Sequence, residues 1–212
     1  MIGTAVTVFL VDDDPAVLRA LERLLRIEGY QVGAFSAPEA FLAAHDSEAP
    51  GCLVLDLAMP ETTGLELQAK LAALGGERPI VFISGHGDIP SSVLAMKGGA
   101  VDFLTKPFDD VDFLAAVKAA VGRDLYLRAA RAERSAIRER LAALTAREHE
   151  VLLHVVAGRI NKQIAADLGT VEKTIKVHRA RVMDKMGVGS VAELARMCER
   201  AGIGAAPPPS PE

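Results

Sequence analysis

Residues 52–60 read CLVLDLAMP. The apolar run Cys52–Leu55 reads as a short buried strand, and it stops at a carboxylate, Asp56. A strand without polar alternation is buried on both faces, as in parallel sheets covered by helices. The flanking sequence keeps that rhythm. Ala5–Val11 is an apolar, strand-like run, Pro15–Ile27 carries Val17, Leu18, Leu21, Leu24 and Leu25 at helical spacing, and Gln31–Phe35 is a short strand. A helix over Ala37–Ala44 is opened by Ser36 and Pro38. After Asp56 come a helix over Leu65–Leu74, a strand over Ile80–Ile83, a helix over Ser91–Lys97, a strand over Val101–Leu104 and a helix over Asp109–Val121. Strands alternating with helices in this way predict an α/β fold, a five-stranded doubly wound parallel sheet.

In such sheets ligands gather at the carboxyl ends of the strands, near the switch in strand order. Here the first strand ends in Asp12-Asp13-Asp14, the third in Asp56 and the fourth in Ser84, while the fifth leads to Lys106-Pro107. Three aspartates alone are an ordinary solvated loop or helix cap. Four strand ends together bring carboxylates, a hydroxyl and an ammonium within reach of one another. Two or three carboxylates suit Mg²⁺, which prefers octahedral oxygen ligation and keeps several waters. The cation neutralises phosphoryl oxygens, and one carboxylate can act as nucleophile. Lys106 would take another phosphoryl oxygen as a point charge, and Ser84 would donate a hydrogen bond to it.

Charge is divided unevenly. Residues 1–122 carry 8 basic and 17 acidic side chains, residues 123–140 carry 6 and 3, and residues 141–204 carry 10 and 7. An acidic half joined to a basic half predicts that the second half meets an anion such as nucleic acid. Cys52 and Cys198 lie far apart and form neither a disulfide framework nor a metal cluster, which points to a reducing cytoplasm. The apolar start Val6–Val11 is too short for a membrane span and runs into three aspartates, which argues against a signal peptide and a membrane partner.

After Gly122 the pattern changes. Residues 123–140 are rich in alanine and arginine and read as an exposed helical linker. Residues 141–204 give only helix signals, with Thr145 and Glu148 spaced as a capping box. The tail 205–212 holds four prolines and is expected to be disordered. Within 171–186, Ile175, Val182 and Met186 share one helix face, suited to burial. Lys173, Lys176, Val177 and Ala180 share another, suited to a major groove, with Thr174 beside them. Arg179, Arg181 and Lys185 flank that face within reach of phosphates, and Lys162 lies on the preceding helix. A solvated basic face is the bland alternative. His178, His149 and His154 read as packed between helices, and no metal spacing connects them.

The segments FLVDDD, VLDLAMP, ISGHGD and DFLTKPF resemble those of two-component response-regulator receiver domains of the FixJ/NarL type, over roughly residues 5–122. Residues 144–202, with LTAREHEVL, NKQIAADL and VEKTIKVHRARVMDKM, resemble the LuxR-type helix-turn-helix. The resemblance implies a flavodoxin-like receiver followed by an all-α helix-turn-helix domain. It implies Asp56 as phosphoacceptor, Asp12 and Asp13 as acidic-pocket residues and Ala58 as a backbone-carbonyl metal ligand. It further implies Ser84 and Lys106 as the switch pair, Phe103 as the rotating aromatic and a cis bond before Pro107. Asp14 matches a position that is often Glu. Two places depart from the pattern. Thr62 stands where many relatives carry an apolar residue, beside the site, where it would alter phosphoryl lifetime. Thr170-Val171 precedes the recognition helix, so that either Thr170 caps it one residue early or the cap is missing.

The expected function is a phosphorylation-dependent, DNA-binding transcriptional regulator, a cytoplasmic phosphoprotein and an activator. Its expected partners are a sensor histidine kinase, double-stranded DNA, RNA polymerase and, when phosphorylated, a second copy of itself. In Ser91–Lys97 the apolar residues Val93, Leu94 and Met96 cannot all face the sheet. By resemblance this helix belongs to the switching face, so Val93, Leu94 and Lys97, with Asp112, are the candidate dimer residues. An aspartyl phosphatase would want a second acid two residues after the nucleophile, where this chain has Ala58. A small-molecule-sensing LuxR regulator would lack the acidic pocket.

Overall fold

The computed structural model describes residues 6–76, 78–85 and 89–203. Residue 5 and the proline-rich tail lie outside them. The chain divides into two compact units, one ending at Arg128 and the other beginning at Ala129.

In the first unit, β1 (Thr7–Val11), β2 (Gln31–Phe35), β3 (Gly51–Asp56), β4 (Ile80–Ser84) and β5 (Asp102–Thr105) form one sheet in the order β2-β1-β3-β4-β5. All neighbouring strands run parallel. The connections pass through α1 (Pro15–Ile27), α2 (Pro38–Ala44), α3 (Gly64–Ala73) and α4 (Ile89–Lys97), and α5 (Asp110–Ala142) follows. Strand periodicity divides the apolar residues between two cores. Val8, Leu10, Cys52, Val54, Val81 and Ile83 pack against Leu18, Leu21 and Leu25 of α1 and Phe113 and Val117 of α5. Phe9, Val11, Leu53, Leu55, Ile80 and Phe82 pack against Phe41 of α2, Leu67 and Leu71 of α3 and Ala95 of α4. Strands covered on both faces leave only their ends open to solvent, and the chemistry collects there.

Sequence reading ends the receiver's last helix at Val121 and follows it with an exposed helical linker over 123–140. That segment is helical and largely exposed; it continues the preceding turns without a break as α5, Asp110–Ala142, and the division between the units falls inside it. Two of its residues, Asp124 and Ile137, are buried rather than exposed. Asp124 is buried in the first unit, where it accepts hydrogen bonds from Gly51 N at 2.8 Å and Arg128 Nε at 2.7 Å. Arg128 also donates to the carbonyls of Ser47, Glu48 and Ala49. Polar groups anchor this turn, so no apolar stripe announces it. Farther along, Ile137 is buried in the core of the second unit.

That core joins Ile137 to residues of α6 (Ala146–Val156), α7 (Asn161–Asp167), α8 (Glu172–Met186) and α9 (Val191–Arg200). Thr145 and Glu148 form the expected capping box. Gly158 and Gly169 take left-handed conformations after α6 and α7, where a side chain would cost energy. Val171 occupies the N-cap of α8 without a side-chain bond, so of the two alternatives the cap is missing and the helix begins at Glu172. Both cysteines are buried free thiols, Cys52 in the core between the sheet and α1 and α5, Cys198 in the core of the second unit. Burial pushes the Cys52 thiol up to about 12 and raises that of Cys198.

Candidate functional site

The strand register builds the pocket. Val11 lies opposite Leu55, so Asp12, one residue on, falls beside Asp56. Asp56 lies opposite Ile83, one residue before Ser84, and Ser84 lies opposite Thr105, one residue before Lys106. Asp12 and Asp56 are 2% and 5% exposed, Ser84 is buried, and Asp13 is exposed. Carboxylate oxygens of Asp12, Asp13 and Asp56 lie within 4.8 Å of one another. Lys106 Nζ donates to Asp12 Oδ2 at 2.6 Å and to Asp56 Oδ1 at 3.0 Å.

Burial raises the Asp56 carboxyl above the usual carboxylate range, against the pull of Lys106 and with repulsion from Asp12 added. For Lys106, burial alone would lower the ammonium's pKa, but the hydrogen bonds to Asp12 and Asp56 outweigh it and the net shift is upward. Clustered hard oxygen donors with one face open fit a divalent cation such as Mg²⁺. Ala58 follows at the mouth, exposed, with its N–H donating to Asp56 Oδ2 at 3.2 Å.

The neighbouring residues sort themselves. Asp14 caps α1, accepting from Ala16 N at 2.7 Å. Lys106-Pro107 is a cis peptide. Phe103 is half-buried, with its ring centroid 6.3 Å from that of Phe82. Thr62 is buried, and its hydroxyl donates to Glu39 Oε1 on α2 rather than to a pocket carboxylate. On α4 only Ala95 is buried, and Val93 and Leu94 are 43% and 57% exposed. Lys97 and Asp112 are exposed as well.

In the second unit, Ile175, Val182 and Met186 of α8 are fully buried. Lys173, Lys176, Val177, Ala180 and Arg181 are exposed along the outer side, and Lys162 is exposed on α7. Thr174 is half-buried, and its N–H donates to the Val171 carbonyl at 3.0 Å. Arg179 is half-buried and reaches Asn161 Oδ1 at 3.1 Å, joining α8 to α7. Lys185, which sequence reading places beside the groove, is engaged within the unit. Its Nζ donates to Glu148 Oε2 at 2.6 Å and to the Ala143 carbonyl at 3.0 Å. Glu148, 2% exposed, also accepts from Thr145 N, and these bonds hold its carboxyl at about 2, with the Lys185 hydrogen bond contributing most. The pair is 37 residues apart in sequence, beyond the reach of local pattern reading. Among the histidines, His178 and His154 are half-buried as expected, but His149 is exposed, since it falls on the outer face of α6.

Comparison with known proteins agrees with both halves. Residues 8–118 match the response regulator receiver domain family, and residues 142–198 match the bacterial regulatory proteins of the luxR family. The response regulator protein TmoT of Ectopseudomonas mendocina is 47% identical over 193 residues, covering 91% of this chain and 88% of its own. The transcriptional regulatory protein FixJ of Rhizobium meliloti is 42% identical, covering 95% and 98%. A low-resolution structure of the response regulator StyR superposes with a TM-score of 0.85 at 43% identity, covering 92% of this chain and 99% of that one.

Proposed function

The chain belongs to the two-component response regulators that join a receiver domain to a LuxR-family DNA-binding domain, and from that premise we propose a transcription regulator switched by phosphorylation of Asp56. The observation that carries this reading is the convergence of Asp12, Asp13, Asp56 and Lys106 at the carboxyl edge of the sheet. A sensor histidine kinase supplies the phosphoryl group. An Asp56 oxygen attacks phosphorus while the bond to the donor histidine nitrogen breaks; that nitrogen keeps the bond's electron pair and takes up a proton, and the phosphoryl oxygens carry their charge onto the new acyl phosphate. Asp12, Asp13, Asp56 and the Ala58 carbonyl would hold Mg²⁺, which when bound neutralises phosphoryl oxygens.

The acyl phosphate carries about −1.5 to −2 where the carboxylate carried −1, in a pocket where a single ammonium, Lys106, faces three carboxylates. Lys106 turns from the carboxylates to the phosphoryl oxygens, Ser84 donates to another, and Phe103 turns inward. The face bearing Val93, Leu94 and Lys97, with Asp112, then favours a dimer. Lys173, Thr174, Lys176, Val177 and Ala180 read base edges of double-stranded DNA, and Lys162, Arg179 and Arg181 hold phosphates. The output is activation through RNA polymerase in the cytoplasm. Among the described residues no helix is long and apolar enough to cross a membrane, which is compatible with this setting.

The test uses acetyl phosphate and Mg²⁺ with wild type and Asp56→Ala. The wild type should form a stable adduct and dimerise, and Asp56→Ala should do neither. An adduct of normal intensity on Asp56→Ala would remove Asp56 from its role. Val93→Asp and Leu94→Asp, followed by ultracentrifugation with beryllofluoride, test the dimer face. If both dimerise as tightly as wild type, the interface lies elsewhere.

A further inference from the structure

We propose that Thr62 and Glu39 form a clasp that positions the loop between β3 and α3, and with it the cation site around Asp56. The proposal rests on the reading of Asp56 as a Mg²⁺-dependent phosphoacceptor. Both are positioning residues, since neither contacts the pocket carboxylates in any bond described above.

Residues 57–63 form a short loop folded back on the strand that carries Asp56. Its closing bond is from Gly64 N to the Leu57 carbonyl at 3.0 Å. A β-carbon at Gly64 would lie 2.4 Å from the Asp56 carbonyl oxygen and 2.9 Å from the Phe82 ring, so the loop's far end is pressed against the phosphoacceptor itself. Between these points the backbone turns sharply. Thr62 N donates to the Pro60 carbonyl at 2.7 Å, and Glu61 sits at φ +65°, a left-handed conformation that L side chains rarely adopt. Such a residue persists only where the surroundings hold it.

Thr62 supplies the hold. It is 8% exposed, and its hydroxyl donates to Glu39 Oε1 at 3.0 Å. Glu39 lies in the first turn of α2, where the helix dipole favours a carboxylate. The bond ties the tip of the loop to a different helix, 23 residues earlier in the chain. A valine of the same shape would leave that carboxylate without its donor and the turn with only its own local bonds. Ala58 is in the same loop, four residues before Thr62, so a shift of the tip moves the carbonyl available to a cation.

The experiment titrates Mg²⁺ into full-length wild type, Thr62→Val, Thr62→Ser and Glu39→Ala by calorimetry, with thermal unfolding and the rate of acetyl phosphate labelling measured alongside. If about half the worth of a hydrogen bond to a charged group is passed on to the cation site, the Mg²⁺ dissociation constant rises about fivefold to tenfold in Thr62→Val and in Glu39→Ala. Thr62→Ser, which keeps the hydroxyl, should stay within about twofold of wild type by the same argument. The unfolding temperature should fall by no more than about 5 °C in Thr62→Val and Glu39→Ala, since the bond is part-buried and outside both sheet cores, and should hold in Thr62→Ser. Wild-type affinity in Thr62→Val, a loss in Thr62→Ser as large as in Thr62→Val, or a loss of affinity that follows a large drop in unfolding temperature would each overturn the clasp. Wild type that neither binds Mg²⁺ nor accepts phosphate would overturn the assignment of Asp56 instead, so the two failures are separable.

Discussion

Replacing Asp124 with alanine should destabilise the first unit, although sequence reading places this residue in an exposed linker. Asp124 accepts a buried hydrogen bond from Gly51 N and pairs with Arg128 Nε. Gly51 cannot relax away from the lost acceptor. It sits at φ +144°, and even a β-carbon there would lie 1.8 Å from the Thr7 carbonyl oxygen, so β1 and β3 leave no slack. Losing a buried bond to a charged acceptor costs about 2 kcal/mol. Arg128 is partly exposed and keeps three carbonyl partners, so its share is about 1 kcal/mol. The total of about 3 kcal/mol corresponds to roughly 10 °C for a unit of this size. Asp124→Asn keeps an acceptor for Gly51 and should lose about half as much. The assay is hydrogen exchange of the full-length protein against urea, in which peptides from β3 report the first unit and peptides from α8 serve as an internal control. A loss below about 0.5 kcal/mol in Asp124→Ala, the range of an ordinary surface change, would refute the reasoning.

The carboxyl of Glu148, held at about 2 in the folded protein, contributes stability that is present above the ordinary carboxylate range and lost as pH falls through that range towards 2. Acid unfolding of the second unit should therefore be less steep between pH 5 and about 2 in Glu148→Gln, as read by circular dichroism of α6–α9. Lys185→Met should lower the unfolding temperature of that unit and weaken DNA binding while leaving the salt slope of wild type, because Lys185 pairs with Glu148. A slope reduced by about one would return it to the phosphate-contacting set. Lys176→Ala should weaken specific binding more than non-specific binding. Arg181→Ala should weaken both and shallow the salt dependence, as measured by fluorescence anisotropy on operator and random duplexes.

The sheet and the pocket were legible because burial on both faces leaves apolar runs, and each run ends at a residue with chemistry. Asp12, Asp56, Ser84 and Lys106 could be gathered from four strand ends without knowing the register, and the register then set them side by side. What escaped was polar and non-local. Asp124 is buried by a backbone N–H and an arginine, which hydropathy reads as exposure. Lys185 has the spacing of a phosphate contact, and its ion pair with Glu148 is visible only in the folded chain. Thr62 stood out as a departure beside the pocket, but its partner on α2 was visible only once the chain had folded.

The cysteines carry a practical consequence. The sequence holds two, and each compact unit encloses one of them, Cys52 on β3 beneath α1 and α5 and Cys198 on the inner side of α9. Both are fully shielded, and Cys52 is held as a thiol far from its thiolate form. An alkylating reagent in buffer therefore finds no target until a unit opens, and its rate of attack then counts openings. Mass spectrometry of the two labelled peptides would time each unit separately in one unmodified polypeptide, without an engineered dye or tag.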